Sequence, residues 1–211
     1  MAILVFTESG KERIRKNSLE AVNYAAQIAG QLNTTVTAVI DGHTDPAKLS
    51  ELGKAGAKEV LTIRDEKLTA GSNRAWAIAL EQVANSVNAQ VIIFPHDLMG
   101  KAIAPRLAAR LKAGIVAGAV DHPKIEGGKF TVRKNSFSGK ATSVYVMHSD
   151  KKVITLLPNS FPLKLSDNTA TITAFTADLS QADDRVKVKE VKPRSTTTVA
   201  LPEAELVVSA G

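Results

Sequence analysis

The first 114 residues alternate between short apolar runs and amphipathic segments with helical spacing. The apolar runs Ala2–Thr7, Val36–Ile40, Val60–Ile63 and Val91–Phe94 are nearly continuous, which is typical of strands buried on both faces of a parallel sheet. A segment with helical periodicity follows each run. Four strand–helix units in a row predict an α/β fold in which a parallel sheet carries helices on both faces.

Several side chains indicate where the predicted helices begin. Asn17 and Glu20 have the spacing of a capping box, Pro46 opens a second helical segment, and Ser72 is placed to cap a third. The fourth helix follows the turn from His96 to Gly100. That turn comes directly after a strand, so it lies at the carboxyl edge of the sheet, where open α/β sheets bind ligands.

The pattern changes after Gly114. Turn-forming residues at 126–128 and 148–150 predict two hairpins, so we expect antiparallel strands to extend the sheet in the second half. The strand-like segments are Ile115–Val120, Lys129–Arg133, Ala141–Met147, Lys152–Leu157, Thr169–Thr176 and Arg185–Val191.

Composition excludes several classes of function. An apolar fraction of 44% with 23% charged residues is that of an ordinary globular protein, and no run of about eighteen apolar residues predicts a membrane span. The N-terminus has no signal-peptide pattern, so a cytoplasmic location is expected. The absence of cysteine excludes disulfides, zinc–thiolate sites and iron–sulfur clusters. The net charge of +6 is spread along the chain without aromatic stacking residues, which argues against nucleic-acid binding.

The sequence predicts no catalytic or metal-binding residue. Ser9-Gly10-Lys11 follows the first strand, but it lacks the second glycine of a phosphate-binding loop. The four histidines have no metal-ligand spacing. Asp97 beside His96 has no partner nucleophile, so we interpret it as a turn residue.

Two segments remain as candidate surfaces. Arg106 and Arg110 share one helix face, which is either a partner surface or an ordinary solvated face. Residues 133–141, RKNSFSGKA, either present Phe137 and Lys140 at a cleft or form a bulge or hairpin stabilised by Gly139.

Three motifs, in order along the chain, resemble signatures of the electron transfer flavoprotein α subunit. Residues 100–111, GKAIAPRLAARL, are similar to the pattern G-[RK]-x-[LI]-x-P-R-[LVI]-A-A-[RK]-L, and this accounts for a proline within a helical pattern. Arg133 and residues 137–141 are similar to R-x-x-[YF]-[AS]-G-[NK]-A, with one extra residue between them. Residues 201–211 resemble the segment that leads to the family's V-V-[ST]-[GA]-G-R-G turn.

The resemblance implies an N-terminal α/β domain of a heterodimeric electron carrier, with a fold like that of the adenine nucleotide α-hydrolases. It implies FAD in a C-terminal domain, AMP only in the β subunit, and therefore no cofactor-binding residue in this chain. The implied partners are the β subunit, flavin dehydrogenases such as acyl-CoA dehydrogenases, and a quinone oxidoreductase. By this resemblance Arg106, Arg110, Phe137 and Lys140 are candidate interface residues.

The same resemblance suggests the domain boundaries. We expect an α/β domain over residues 1–192, a linker rich in Pro, Ser and Thr over 193–202, and over 203–211 the first strand of a truncated FAD-binding domain. Two alternatives remain open at this point. One is a free-standing nucleotide-binding module of the universal-stress type, and the other is an adenylating enzyme that uses the Ser9-Gly10 loop.

Overall fold

The chain forms one mixed sheet with helices on both faces in a computed structural model that describes residues 2–10, 12–69, 71–182, 190, 204 and 206–210. The α-helices are α1 (Lys16–Leu32), α2 (Pro46–Lys54), α3 (Glu66–Thr69), α4 (Asn73–Ser86) and α5 (Leu98–Leu111). The strands are β1 (Ala2–Phe6), β2 (Thr35–Asp41), β3 (Glu59–Ile63), β4 (Ala89–Pro95), β5 (Gly114–Ala119), β6 (Lys124–Glu126), β7 (Lys129–Ser136), β8 (Ala141–Met147), β9 (Lys152–Leu156) and β10 (Thr171–Ala174).

The strand order shows where the sheet reverses its direction of growth. The order is β10-β3-β2-β1-β4-β9-β5-β7-β6, and β8 pairs with the other side of β7. All pairs from β10 to β5 are parallel, while the pairs made by β7 are antiparallel. The chain builds outward from β1 towards β3 and then from β4 in the opposite direction. The topological switch point therefore lies between β1 and β4.

Alternate side chains of the central strands feed two apolar cores, one on each face of the sheet. Ile3 and Val5 of β1 pack with α1 and α2, whereas Leu4 and Phe6 pack with α4 and α5. Because both faces are covered, the strands need apolar residues at every position. The continuous apolar runs in the sequence have this cause, and the predicted α/β fold with helices on both faces is confirmed.

The prediction of a capping box at Asn17 and Glu20 is wrong. The helix begins at Lys16 and Arg15 makes no side-chain cap. Asn17 instead donates to Asp97, and the buried Glu20 carboxylate accepts from the backbone N–H of Asn159 at 2.9 Å. Both side chains are used for tertiary contacts, which outweigh a local cap. The predicted cap at Ser72 is confirmed by its bond from the Ala75 N–H at 3.2 Å.

The second half contains both parallel and antiparallel strands. The hairpin at 126–128 is confirmed, but the hairpin at 148–150 is wrong, because β9 inserts between β4 and β5 and does not pair with β8. The side chains from Val153 to Leu156 are buried, so this strand needs a central position, whereas β8 is largely exposed. β5, β9 and β10 thus continue the parallel sheet, and the antiparallel extension consists of β6, β7 and β8.

Part of the predicted C-terminal region lies outside the described residues. This applies to the strand predicted over Arg185–Val191, apart from Glu190, and to the linker over 193–202. Residues 206–210 are described, are not part of a strand, and expose Leu206 and Val208. The division into domains remains a prediction. Among the described residues, no helix is both long enough and apolar enough to cross a membrane.

Candidate functional site

The loops after β1 and β4 meet at the switch point, which is the expected ligand position in this architecture. Asn17, in the first turn of α1, donates its amide N–H to Asp97 Oδ2 at 2.7 Å. The other oxygen of Asp97 accepts the backbone N–H of Gly100 at 2.8 Å and so caps α5. These two bonds tie the N-termini of α1 and α5 together across the crevice.

A carboxyl pair lies at this crevice. The side chain of Glu8 is hydrogen-bonded to that of Asp97, and Arg15 Nη1 lies 3.4 Å from Glu8 Oε2. Burial raises the pKa of Glu8 from 4.5 to about 7, Arg15 opposes the shift, and the charge of Asp97 adds to it. The Glu8 carboxyl therefore holds its proton to a higher pH than an ordinary glutamate. Their negative charge makes the crevice unfavourable for a phosphate group.

The loop that contains Ser9 and Gly10 is closed by its own backbone. The N–H of Gly10 donates to the carbonyl of Arg13 at 2.8 Å, and Ser9 forms an isolated antiparallel bridge with Ile14. A phosphate-binding loop needs free N–H groups pointing at the ligand. The N–H of Gly10 is already used, so the geometry favours an ordinary connecting loop.

The turn after β4 depends on a glycine. A Cβ atom at Gly100 would overlap with the carbonyl oxygen of Pro95. The absence of a side chain lets the first turn of α5 pack against the end of β4, which brings Asp97 to the crevice. The first position of the 100–111 motif therefore requires glycine for a steric reason.

His96 lies on the other side of this turn. Its Nδ1 is 2.6 Å from the hydroxyl oxygen of Thr155, which also accepts the N–H of Gly118 at 2.9 Å. Burial lowers the pKa of His96, the charges of Lys101 and Lys134 lower it further, and Asp97 opposes them. The imidazole is therefore neutral at physiological pH.

The four histidines do not form a metal centre. His43 bonds to Asp41 and Thr69 at the ends of β2 and α3, and His122 stacks on Tyr24 and Phe161. In the part of the chain that the structure covers, no three His, Cys, Asp or Glu side chains are placed to share a metal ion.

The arginines of the 100–111 motif have separate contacts. Arg106 is exposed and its Nη1 donates to the carbonyl of Ala102 at 2.5 Å. Pro105 has no N–H for the carbonyl of Lys101, and the Arg106 bond goes to the next carbonyl along the helix. Arg110 Nε donates to Glu81 Oε2 at 2.6 Å and thereby links α5 to α4.

Phe137 and Lys140 lie at the tip of the β7–β8 hairpin. A 3₁₀ turn over Phe137–Gly139 joins the two strands, so the hairpin alternative for this segment is the observed structure. Phe137 is 82% exposed, and its φ of 49° lies in the left-handed region that bulky residues avoid. The N–H of Lys140 donates to the carbonyl of Phe137 at 3.1 Å, so both residues lie on one exposed turn.

The hairpin continues into an exposed apolar strand. Val144, Tyr145 and Val146 of β8 are 61%, 45% and 42% exposed. β8 pairs on one side with β7, and residues 141–147 carry no charge. An uncharged edge strand with exposed β-branched and aromatic side chains is an open surface for another chain.

Sequence reasoning missed the carboxyl pair. The sequence pattern indicates a turn residue at Asp97, and this covers only part of its role, because one carboxylate oxygen caps α5 while the other binds Asn17. Glu8 comes two residues after the end of β1, as Asp97 comes two residues after the end of β4, and neighbouring parallel strands end at the same edge. Knowing that β1 and β4 are neighbours would have been enough to pair these carboxyls.

Comparison with known proteins gives a consistent family. Residues 3–180 match the electron transfer flavoprotein domain. The electron transfer flavoprotein subunit alpha of Bacillus subtilis is 28% identical over 209 residues, and the alignment covers 99% of this chain. The protein of the same name from Thermoanaerobacterium thermosaccharolyticum is 25% identical, with 99% coverage, and protein FixB of Azorhizobium caulinodans is 21% identical, also with 99% coverage.

These relatives are longer than the chain. The alignments cover 63%, 64% and 58% of the three proteins in the order given. The domain match extends over most of the described part, including all ten strands apart from the first residue of β1. The chain therefore belongs to the electron transfer flavoprotein domain family and is similar over its whole length to α subunits of that family.

Proposed function

We propose that this chain is the N-terminal part of the α subunit of a heterodimeric electron transfer flavoprotein in the cytoplasm, or in the mitochondrial matrix of a eukaryote. The complete heterodimer carries electrons from flavin dehydrogenases, such as acyl-CoA dehydrogenases, to a quinone oxidoreductase. It is an electron carrier and not an enzyme with its own substrate. The family match and the relatives named as α subunits support this proposal.

In this proposal the region serves as scaffold and as interface with the β subunit. The observation that carries the interface is the exposed, uncharged edge of β8 beside Phe137 and Lys140. A partner strand or apolar patch seated there would bury Val144 and Val146 and satisfy the open edge of the sheet. Phe137 reaches beyond the tip, where an aromatic anchor contributes most to an interface.

Arg106 and Arg110 differ in how available they are for contact with a partner. Arg110 is already paired with Glu81 within the domain, so its charge contributes to the packing of α4 on α5. Arg106 is exposed and bonded only to a carbonyl of its own helix among the contacts described. Arg106 is therefore the better candidate for contact with the β subunit or the flavin domain.

FAD belongs to the complete heterodimer in this proposal, and AMP to the β subunit. The carboxyl pair of Glu8 and Asp97 disfavours phosphate at the switch point, and the closed Gly10 loop offers no phosphate cradle. Both observations also weigh against the universal-stress and adenylating alternatives. FAD added to the purified 211-residue chain should be lost on desalting, whereas stoichiometric retained flavin would contradict the proposal.

Assembly tests the interface. A Phe137→Ala, Lys140→Ala, Val144→Thr variant should fail to co-purify with an electron transfer flavoprotein β subunit, because it loses the aromatic anchor and one apolar side chain of the edge. An Arg106→Glu variant should weaken assembly less. Arg110→Glu should lower stability through loss of the Glu81 pair without a specific loss of assembly. Full assembly of the triple variant, measured by gel filtration, would contradict this interface.

A further inference from the structure

One segment of the chain joins the two apolar cores around an edge of the sheet. After β9, Phe161 and Leu163 pack against the core on the α1 side. The chain then forms β10, which pairs with β3 and stands at the edge of the described sheet. Beyond β10, Leu179 and Ala182 are buried in the core on the α4 side. Residues 158–182, which we call the strap, therefore bind both faces of the sheet.

Two side-chain amides hold the strap, one on each face of the sheet. Asn23 of α1 donates from Nδ2 to the carbonyl of Lys164 at 2.8 Å, and the N–H of Lys164 donates to Asn23 Oδ1 at 3.4 Å. Gln82 of α4 makes the same pair of bonds with Asp178. Its Nε2 donates to the carbonyl at 2.7 Å and its Oε1 accepts the N–H at 2.9 Å. An amide is both donor and acceptor, so each side chain pairs with the strap as a neighbouring strand would.

The part of the strap before β10 is fixed by close backbone contacts with α2. A Cβ atom at Gly53 would lie 2.7 Å from the backbone nitrogen of Ala170, so the helix and the strap meet backbone to backbone. The N–H of Ser166 donates to the carbonyl of Lys54, at the end of α2, at 2.9 Å. Because these contacts join two backbones, this part of the strap should separate only when α2 also unfolds.

Residues 176–182, which we call the distal arm, are held differently. The four side chains of β10 are exposed, so β10 adds no buried side chain next to the arm. Leu179 and Ala182 are the buried side chains of the arm, and Lys67 Nζ donates to the carbonyl of Leu179 at 3.1 Å. The two Gln82 bonds are exposed to water. A short segment with few buried apolar side chains and exposed hydrogen bonds opens at a lower free energy than the whole domain.

We propose that the distal arm is a latch that opens from α4 while β10 and the rest of the domain stay folded. Gln82 is the positioning residue of the latch, because its amide binds both backbone groups of Asp178 and so sets the register of the arm on α4. While the latch is closed, the chain after residue 182 starts from the α4 face. When it opens, that chain starts from the edge of the sheet and gains up to about 23 Å of reach.

Thiol labelling tests the latch, because the chain has no cysteine and one substitution supplies a single reporter. Ala182→Cys places the thiol in the distal arm, and Val5→Cys places it at a fully buried position of the central strand β1. In native buffer the thiol of Ala182→Cys should react with a disulfide reagent at least about tenfold faster, because it needs only local opening. Equal rates in the two variants would overturn the latch. Labelling of Ala182→Cys as fast as in the urea-unfolded chain would also overturn it, because the arm would then not be closed.

The two amides give a matched pair of variants that separates local opening from unfolding of the domain. Gln82→Ala should speed the labelling of Ala182→Cys by about tenfold, because two hydrogen bonds of the closed arm are lost. Asn23→Ala removes the equivalent bonds from the part of the strap that stays folded, so it should speed the labelling of Val5→Cys but change that of Ala182→Cys by less than about twofold. Equal acceleration of both reporters by Asn23→Ala, or no effect of Gln82→Ala on Ala182→Cys, would overturn the proposal.

Discussion

The parallel and antiparallel parts of the sheet differ in what covers their apolar side chains. β1 and β4 are buried on both faces by the helices of the same chain. In the antiparallel part, Phe130 and Val132 of β7 pack into the core, but Val144 and Val146 of β8 face solvent. The chain thus completes its own core with the parallel part and leaves apolar surface on the antiparallel part, which is the arrangement expected when a partner completes it.

The largest effect should come from the steric constraint at the end of β4. Gly100→Ala places a Cβ atom against the carbonyl oxygen of Pro95. We therefore expect the free energy of unfolding to fall by about 3–5 kcal/mol, or the chain to fail to fold. Gly30→Ala is a matched control, because a Cβ atom there meets nothing within 4 Å. The control should be neutral or more stable by about 0.5–1 kcal/mol. Urea unfolding measures both, and equal stabilities would refute the constraint.

The next effect compares the two sides of the hairpin directly. Val132→Thr puts a hydroxyl into a fully buried position and should cost about 2 kcal/mol in urea unfolding. Val144→Thr, in the strand paired with it, should change the stability of the isolated chain by less than about 0.5 kcal/mol. If Val144→Thr destabilised the isolated chain as much as Val132→Thr, β8 would be part of the core and not a surface for a partner.

The carboxyl pair gives an effect that depends on pH. Because the folded-state pKa of Glu8 is raised to about 7, the folded chain keeps a proton that the unfolded chain has lost between pH 4.5 and pH 7. Stability from this group therefore falls as the pH rises through that window. Glu8→Gln should remove this dependence. Its free energy of unfolding, compared with that of the wild type, should increase by about 2 kcal/mol as the pH rises from 5 to 8.

Unfolding at several pH values measures the difference between the two curves. A constant difference between Glu8→Gln and wild type across this range would mean that Glu8 titrates normally. Asp97→Asn is a useful companion, since it removes the neighbouring charge and should lower the pKa of Glu8.

The smallest effect concerns the backbone at the hairpin tip. Phe137→Gly relieves a positive φ, so the free energy of unfolding of the isolated chain should rise by about 0.5–1 kcal/mol. The same change should weaken assembly with the β subunit, because the phenyl ring is lost. Gly139→Ala, at a φ of 86°, should have the opposite effect on stability. A destabilised Phe137→Gly chain would show that the phenyl ring contributes to the fold.

The sequence predicted the parallel part of the fold well, because strands buried on both faces leave continuous apolar runs. The predicted pairing of β9 with β8 is wrong, because β9 lies between β4 and β5. The turn residues at 148–150 look like a hairpin, and only the burial of Ile154 and Leu156 between β4 and β5 shows otherwise. The capping box predicted at Asn17 and Glu20 is wrong for the same reason. Their spacing fits a local cap, but their hydrogen-bond partners lie far away in sequence.

The candidate sites were less predictable than the fold. Glu8 and Asp97 lie far apart in sequence, and their neighbourhood depends on strand order, which periodicity does not reveal. Phe137 and Lys140 were found through a motif, and their exposure is a property of the folded hairpin. The pairing of Arg110 with Glu81 could not be read from the sequence, because it depends on how α4 packs against α5.

Hydrogen–deuterium exchange on the chain with and without an electron transfer flavoprotein β subunit tests the central comparison most directly. Binding should protect the amides of residues 137–147, at the hairpin tip and along β8, while the amides of β1 and β4 should exchange slowly in both states. A stable complex that leaves residues 137–147 unprotected would contradict the assignment of this surface to the partner subunit.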